Sequence, residues 1–465
     1  MSAKKSVKPS RVVQDTKGSN YELGNELSRG GQGIVYFTQY PQVLIKGFTN
    51  KDPQVRERWR QHIAWLVRQD LAGLKIARPL VPLAEPRCGY VMELMDGLES
   101  LQNLLESYVA AGEDAGKDYL QQGGLRRRVR ILCQLARTLN QLHARGMLYG
   151  DLSPSNIFVS DDPAYAETWL IDCDNISLES YSGLSLHTAD YGAPEVVRGD
   201  ALLSSLTDVW SFAVIAYQLL THNHPFKGEL VSDGDPEEED AALRGERPWI
   251  CDAQDDANEC FVNLPIQLLE HSGLPALFAR CFEQGLERPA ERPGMAEWLV
   301  ALTEIDERMI ECEHCAGATL VAQSLDSLDE ASCFFCDKPL DDTAVLFEEF
   351  ISLPKDAEDN DTGKAFATGR KIWLQQGKSV ELKRLMPTFS YDRWPTDHIA
   401  IEYTEQGLSI TPLADASLHL ARGATVKLLE RRQGLRANLR GQHAEHYTLH
   451  VGELAEPHVF WQFGW

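Results

Sequence analysis

The sequence predicts an α+β chain built in series: a strand-rich N-terminal part, a helical middle, a four-cysteine zinc ribbon and a C-terminal all-β, sandwich-like domain. Three observations carry this. The stretch "ELSRGGQGIVYFTQYPQVLIKGF" (26–48) alternates apolar and polar positions around glycines, the period of half-buried strands. "LRRRVRILCQLARTLNQLHARG" (125–146) sets Val129, Leu132, Cys133, Ala136, Leu139 and Leu142 at helical spacing and stops at Gly146. Cys312, Cys315, Cys333 and Cys336 form two Cys-x-x-Cys pairs seventeen residues apart, a zinc-ribbon spacing. At 465 residues the chain exceeds one ordinary core, and its length suggests roughly two to four domains.

Composition narrows the function classes. A formal net charge of -24 argues against a nucleic-acid binder, because phosphate contacts need clustered Lys and Arg. Much of the acid sits in "DGDPEEEDAALRGERPW" (233–249), which reads as a solvated surface insertion. The longest apolar run, "FAVIAYQLL", falls short of the roughly 20 residues that span a bilayer, so no membrane segment is expected. "MSAKKSVKPSRVV" is basic but has no apolar h-region, so a secretory signal is not expected and a cytoplasmic location is. Cysteines there are expected as thiols or metal ligands, not disulfides.

The N-terminal strands end a glycine turn in which Gly30 and Gly33 let backbone amides approach a phosphate. Lys46, preceded by "VLI", follows on the next strand. "CGYVMELMDGLESLQNLL" (88–105) then runs from an apolar strand into a polar turn and a helix. After the 125–146 helix come, in order, "YGDLSPSNIF" (149–158), "WLIDCDN" (169–175), "HTADYGAPEVV" (187–197), "TDVWSFAVIAYQLLTHNHPF" (207–226) and "CFEQGLERPAERPGMAEW" (281–298).

Over residues 20 to 308 this succession resembles the eukaryotic-like bacterial Ser/Thr protein kinases, which implies a two-lobed kinase fold. The resemblance implies an N-lobe over 19–95 after a flexible basic tail at 1–18, and a C-lobe over 96–308. It implies ATP and Mg2+ as cofactors. Ser28, Gly30, Gly31, Gly33 and Val35 would cover the phosphates and Lys46 would hold them. Met92 would be the gatekeeper, with Glu93 and Met95 in the adenine hinge. Asp151 would orient the substrate hydroxyl, Asn156 and Asp172 would hold Mg2+, and Thr188 would favour Ser or Thr acceptors. Asp208 would tie down the catalytic loop, and Arg292 would pair with Glu195. Glu57, the only Glu between Lys46 and Glu85, is the candidate partner of Lys46, although it lies nearer to Lys46 than in the family.

The catalytic loop departs from His-Arg-Asp-Leu-Lys-Pro-x-Asn at three places: Tyr149 for His, Gly150 for Arg and Ser153 for Lys. Gly150 makes this a non-RD loop. Activity is therefore expected without phosphorylation of Ser177, Ser180, Ser182 or Ser185, since a phosphate there lacks its usual Arg partner. Ser153 removes a cation from the transferring phosphate, and a few kcal/mol can rest on such a charge. RIO-type kinases carry Ser at this point as well. Two rival readings follow: a nucleotide-binding pseudokinase scaffold, and a small-molecule kinase.

A narrower resemblance rests on "LSPSN", "IDCDN", the acidic block, "RPGMAEW" and the following cysteines. It is to kinases of tellurite-resistance-type clusters and implies, besides a protein substrate, a von Willebrand A protein and a metal-dependent phosphatase as partners.

Beyond the kinase-like region, the zinc ribbon is expected over 309–340, with four sulfurs closing a structural site and His314 exposed; a thioredoxin-like redox pair is the alternative for one Cys-x-x-Cys alone. Residues 341–384 are expected to form a linker region, with "PKDAEDNDTGKAFATG" (354–369) polar and breaker-rich. The short alternating segments "KSVELKRL", "HIAIEY", "LSITPL", "ATVKLLERR", "HYTLHVG" and "HVFWQF" predict a β-rich interaction or regulatory domain over 385–465. Strand number would suit a forkhead-associated-like sandwich, but no phosphothreonine-binding motif is visible.

Overall fold

The computed structural model describes residues 11–31, 33–179, 188–353, 363–383, 397–413 and 417–465. The N-terminal half-barrel of strands is a six-stranded sheet in the order β1-β2-β3-β4-β6-β5, from Val12–Gln14 (β1), Asn20–Arg29 (β2), Gly33–Thr38 (β3), Val43–Phe48 (β4), Val81–Pro82 (β5) and Gly89–Glu93 (β6). Strand parity sends Ile45 to one face, against Val13, Tyr21, Val81 and Val91, and Leu44 to the other, against Tyr90 and Met92. Lys46 shares parity with Leu44, and so is placed on the inner face. The helix α1 (Pro53–Leu66) covers that face with Ile63 and Leu66. It starts where Asp52 accepts from the amides of Gln54 and Val55 at 2.8 and 3.2 Å, with Pro53 at the first helical position. The basic tail ends earlier than expected: β1 already pairs with β2 from Val12, because Val13 buries its side chain in the sheet core. The rest of that tail, residues 1–10, lies outside the described residues.

The middle of the chain is helical. Helix Ser205–Thr221 is apolar nearly all round and buried accordingly, packed by Gly124–His143 on one side, while its Trp210 meets an aromatic cluster of Phe226, Phe282, Phe278 and Trp298 on the other. Helix Met295–Arg308 closes this core. The acidic block is more ordered than a solvated insertion: Pro236–Leu243 is a helix that buries Ala241 and Ala242, Arg247 clasps Glu238, and Trp249 is buried with its indole N–H donating to Glu283. No described helix is long and apolar enough to cross a membrane.

The linker expected over 341–384 is instead mostly sheet. Strands Val345–Leu353 and Lys364–Leu374 belong to a six-stranded sheet completed by His458–Phe463, Tyr447–Val451, Leu418–Arg422 and Thr425–Leu428. Ser379–Lys383, Asp397–Thr404, Gly407–Pro412 and Gln433–Arg436 make a four-stranded sheet against it. Phe347, Ile372, Leu449, Trp461 and Phe463 from the first sheet share one core with Ile399, Ile401, Leu408 and Ile410 from the second. The β domain thus begins near 345, forty residues before the expected boundary at 385. The breaker-rich residues 354–362 lie outside the described residues.

This domain is bolted to the helix Met295–Arg308. Arg370 is almost fully buried, bonds to Glu307 and to Glu349 at 3.0 Å, and lies over the Trp461 ring. Arg370→Ala strands two buried carboxylates, and removing one partner of a buried pair costs about 3–5 kcal/mol. Thermal unfolding is expected to show the β domain melting separately and earlier; an unchanged, single transition would contradict this coupling.

Candidate active site and cysteine cluster

Residues far apart in sequence converge below the N-terminal sheet. Lys46 on β4 is 6% exposed, and its amine makes ion pairs with Asp172 and Asp174. Burial alone would lower its pKa; the two carboxylates outweigh this and hold the amine well above its ordinary value. Asp172 opens the 3-10 turn Cys173–Asn175 with φ +54, a left-handed conformation that non-glycine residues adopt at a cost and that clusters at functional sites. Its side chain stays 36% exposed, whereas that of Asp174 is sealed. Burial pushes the Asp174 carboxyl up to about 6 despite Lys46.

The structure does not bring Glu57 to Lys46. Glu57 points outward from α1, accepting from Gln61 at 2.9 Å and pairing with Arg60 at 3.5 Å. The reason is helical phase. The face of α1 that meets the sheet carries Ile63 and Leu66, and the His62 ring, not a carboxylate, lies against the Asp174 backbone.

The loop after Met147–Leu148 is held from below. Asp208, fully buried, accepts the amides of Tyr149 at 2.7 Å and Gly150 at 2.9 Å, and contacts His143 Nε2 at 3.0 Å. Tyr149 is buried and its hydroxyl donates to the carbonyl of Ile171, tying the loop to the residue before Asp172. Gly150 has φ +88, and a Cβ there would sit 3.2 Å from the Asn175 carbonyl and from Leu148, so a side chain at this position is strained.

Asp151 accepts from Thr188 Oγ1 at 2.7 Å. Burial raises its pKa and Asp172 adds to this, while the Thr188 hydrogen bond works against both. Asn156 donates Nδ2 to the Asp151 carbonyl at 2.9 Å. Ser153 is buried and shares a hydrogen bond with Ser155 Oγ at 3.0 Å. Arg292 grips Glu195 with two bonds of 2.8 Å, donates to the carbonyls of Leu206 and Gly285, and stacks over Trp210. Ser180, Ser182 and Ser185 lie outside the described residues.

In the β2–β3 turn, Ser28 pairs with Val35 and the Gly30 amide donates to the Gly33 carbonyl at 3.0 Å. A Cβ at Gly30 or Gly31 would meet nothing within 4 Å; at Gly33 it would come 2.9 Å from the Gly47 carbonyl, so only Gly33 is required by packing. Met92 is buried on β6 opposite Leu44, Glu93 is exposed, and Met95 is partly buried.

The four cysteines also meet. Their sulfurs lie within 4.8 Å of one another, with Cys312 to Cys336 at 3.7 Å and Cys315 to Cys333 at 3.6 Å. Four Zn–S bonds of about 2.3 Å in a tetrahedron set sulfurs about 3.8 Å apart, against about 2.04 Å in a disulfide. Each pair sits on a matching knuckle: Ala316 and Asp337, the residues after the second cysteines, have φ +59 and +57. The amides of Gly317 and Phe335 donate to the sulfurs of Cys315 and Cys333 at 3.4 Å. His314 is exposed and outside the cluster.

A family model described as protein kinase domain matches residues 84–258. Human ribosomal protein S6 kinase alpha-2 is 30% identical over 154 residues, 32% of this chain and 19% of that protein. Serine/threonine-protein kinase PknD of Chlamydia abortus is 28% identical over 239 residues, covering 45% of this chain and 25% of the relative. Serine/threonine-protein kinase PknH of Mycobacterium bovis is 29% identical over 228 residues, 46% of this chain and 35% of the relative. The chain therefore spans between 19% and 35% of the length of these relatives. The match to the protein kinase domain model covers the middle of the chain; Lys46, the glycine turn and the four cysteines lie outside the matched residues.

Proposed function

We propose that the chain is an ATP-dependent Ser/Thr protein kinase that passes the γ-phosphate of Mg-ATP to protein hydroxyls. The observation that carries this is the meeting of Lys46 with Asp172 across 126 residues of sequence, beside a loop whose Asp151 accepts from Thr188. The residues fit the cofactor. Asp172 and Asn156 are hard oxygen donors of the kind Mg2+ prefers. The Asp172 carboxylate is partly open, and Asn156 spends its Nδ2 on Asp151, which leaves its amide oxygen for the ion. When bound, Mg-ATP supplies the phosphoryl group and most of the charge neutralisation.

The chain's own contribution is placement. Lys46 holds phosphate oxygens from the roof, and Gly30 and Gly31 leave the glycine turn open to close over them. Asp151 accepts the acceptor hydroxyl and points it at the phosphorus. Thr188, bonded to the other side of Asp151, fixes that carboxylate and selects short hydroxyl side chains. Ser153 brings no cation, so neutralisation falls to Lys46 and the metal. Tyr149, in place of the family's His, ties the loop through its hydroxyl to the Ile171 carbonyl, next to Asp172. The four cysteines would hold one structural Zn2+. By the narrower sequence resemblance, the partners are a von Willebrand A protein and a metal-dependent phosphatase.

The missing cation at Ser153 favours the scaffold as the second reading. Incubating the purified chain with γ-labelled ATP, Mg2+ and peptide libraries separates the cases. Label on Ser and Thr peptides is expected. Label confined to Tyr peptides or to small molecules would contradict the assignment.

A further inference from the structure

The candidate site holds one group that its expected chemistry does not use. Asp174 is completely buried, yet it is ionisable and lies against Lys46. Burying a carboxylate without a role is costly, and such groups persist where a cation needs them. Lys46 lies opposite Tyr90 on β4 and β6, and its amine makes an ion pair with Asp174. The turn that carries it is locked by Cys173, whose buried thiol donates to the Ala77 carbonyl at 3.3 Å. The helix that could compete for Lys46 offers no carboxylate, since Glu57 faces outward.

We infer that Asp174 is the fixed counter-ion of Lys46, a positioning residue that does the work of a helix carboxylate and leaves Asp172 free to take the metal. This rests on the kinase reading. Lys46 has two anions, and they differ in access: Asp172 is open to solvent and Asp174 is sealed. When a metal-nucleotide enters, Asp172 must leave Lys46, while Asp174 stays and keeps the amine charged and aimed. The same short turn therefore supplies both the metal ligand and the Lys46 partner, and α1 need not move to complete the site.

The physical consequence is a signature with two signs. In Asp174→Asn, Lys46 has only Asp172 to pair with, so Mg-ATP binding takes away the last carboxylate that Lys46 holds. Mg-free ATP, by contrast, meets one negative charge fewer and needs no metal ligand. Calorimetric binding in chelator-free buffer is the test, with cooperative melting checked for each variant. Asp174→Asn is expected to bind Mg-ATP at least about tenfold more weakly than wild type, with Mg-free ATP unchanged or tighter. Glu57→Gln should stay within about twofold of wild type for both. If Asp174→Asn does not fold, Asp174→Ser carries the test, with the same loss for Mg-ATP alone. The inference is overturned if Mg-ATP binding survives Asp174→Asn, if both forms of ATP weaken in parallel, or if Glu57→Gln shows the metal-specific loss. A wild-type chain that binds no Mg-ATP sinks the kinase reading as well, whereas a wild type that binds and transfers beside an indifferent Asp174→Asn sinks only this one.

Discussion

Cys312→Ser, or removal of the metal by a strong chelator, is expected to unfold the cysteine hairpin and weaken the joint on either side of it. In small modules of this kind, zinc binding is the folding energy, about 10–16 kcal/mol in apparent terms at neutral pH. Here the module is not isolated. Met309, Ala318 and Leu320 continue the helical core, while Ile310, Cys312, Cys333 and Leu340 pack with Trp373 of the β domain. Loss of the ion therefore frees both neighbours. Metal analysis of protein purified without added zinc should give one zinc per chain, and the chelated protein should lose a melting transition. A zinc-free chain, or a disulfide within the cluster, would contradict the assignment.

Asp172→Ala should reduce phosphotransfer by about a thousandfold or more, the scale of losing a preorganised charge in a dry site. It is the cleaner of two substitutions. Lys46→Ala removes the same activity but also leaves Asp174 buried without its cation, at a cost to folding of about 3–5 kcal/mol. Asp172→Ala keeps the Lys46–Asp174 pair and so should melt close to wild type. With no cation at Ser153 to compensate, activity above about a tenth of wild type in Asp172→Ala would rule out its role as metal ligand.

What could be read from the sequence were features fixed by order and spacing. The succession from Lys46 to Arg292 and the two Cys-x-x-Cys pairs are local patterns; the fold brings Lys46 to Asp172, Asp151 to Thr188, Glu195 to Arg292 and the four cysteines together, but not Glu57 to Lys46. The pairing of Lys46 with Asp174 was not legible because it depends on helical phase in α1 and on a turn far away in sequence. "IDCDN" did hold a signal, a second Asp two residues after the first, but only the fold shows that it points inward. The β domain was entered late for a different reason. Lys364–Leu374 begins with exposed residues beyond the core and buries Arg370, so its first half reads as linker. Leu418–Arg422 and Gln433–Arg436 were missed because each is short and sends few apolar side chains inward: Leu418 and Leu420 in one, Leu435 in the other.

Whether the altered loop around Asp151 is catalytic decides between an enzyme and a scaffold. Mg-ATP binding and γ-phosphate transfer should be measured side by side for wild type and Asp151→Asn. Asp151 contacts Thr188 and Asn156 and would touch the acceptor hydroxyl instead of the nucleotide. The account predicts equal Mg-ATP binding by both proteins, with transfer by wild type and loss of about 10²–10⁴-fold in the variant. Equal binding with no transfer by either protein, to itself, to generic substrates or to its proposed partners, would contradict it and leave a nucleotide-binding scaffold.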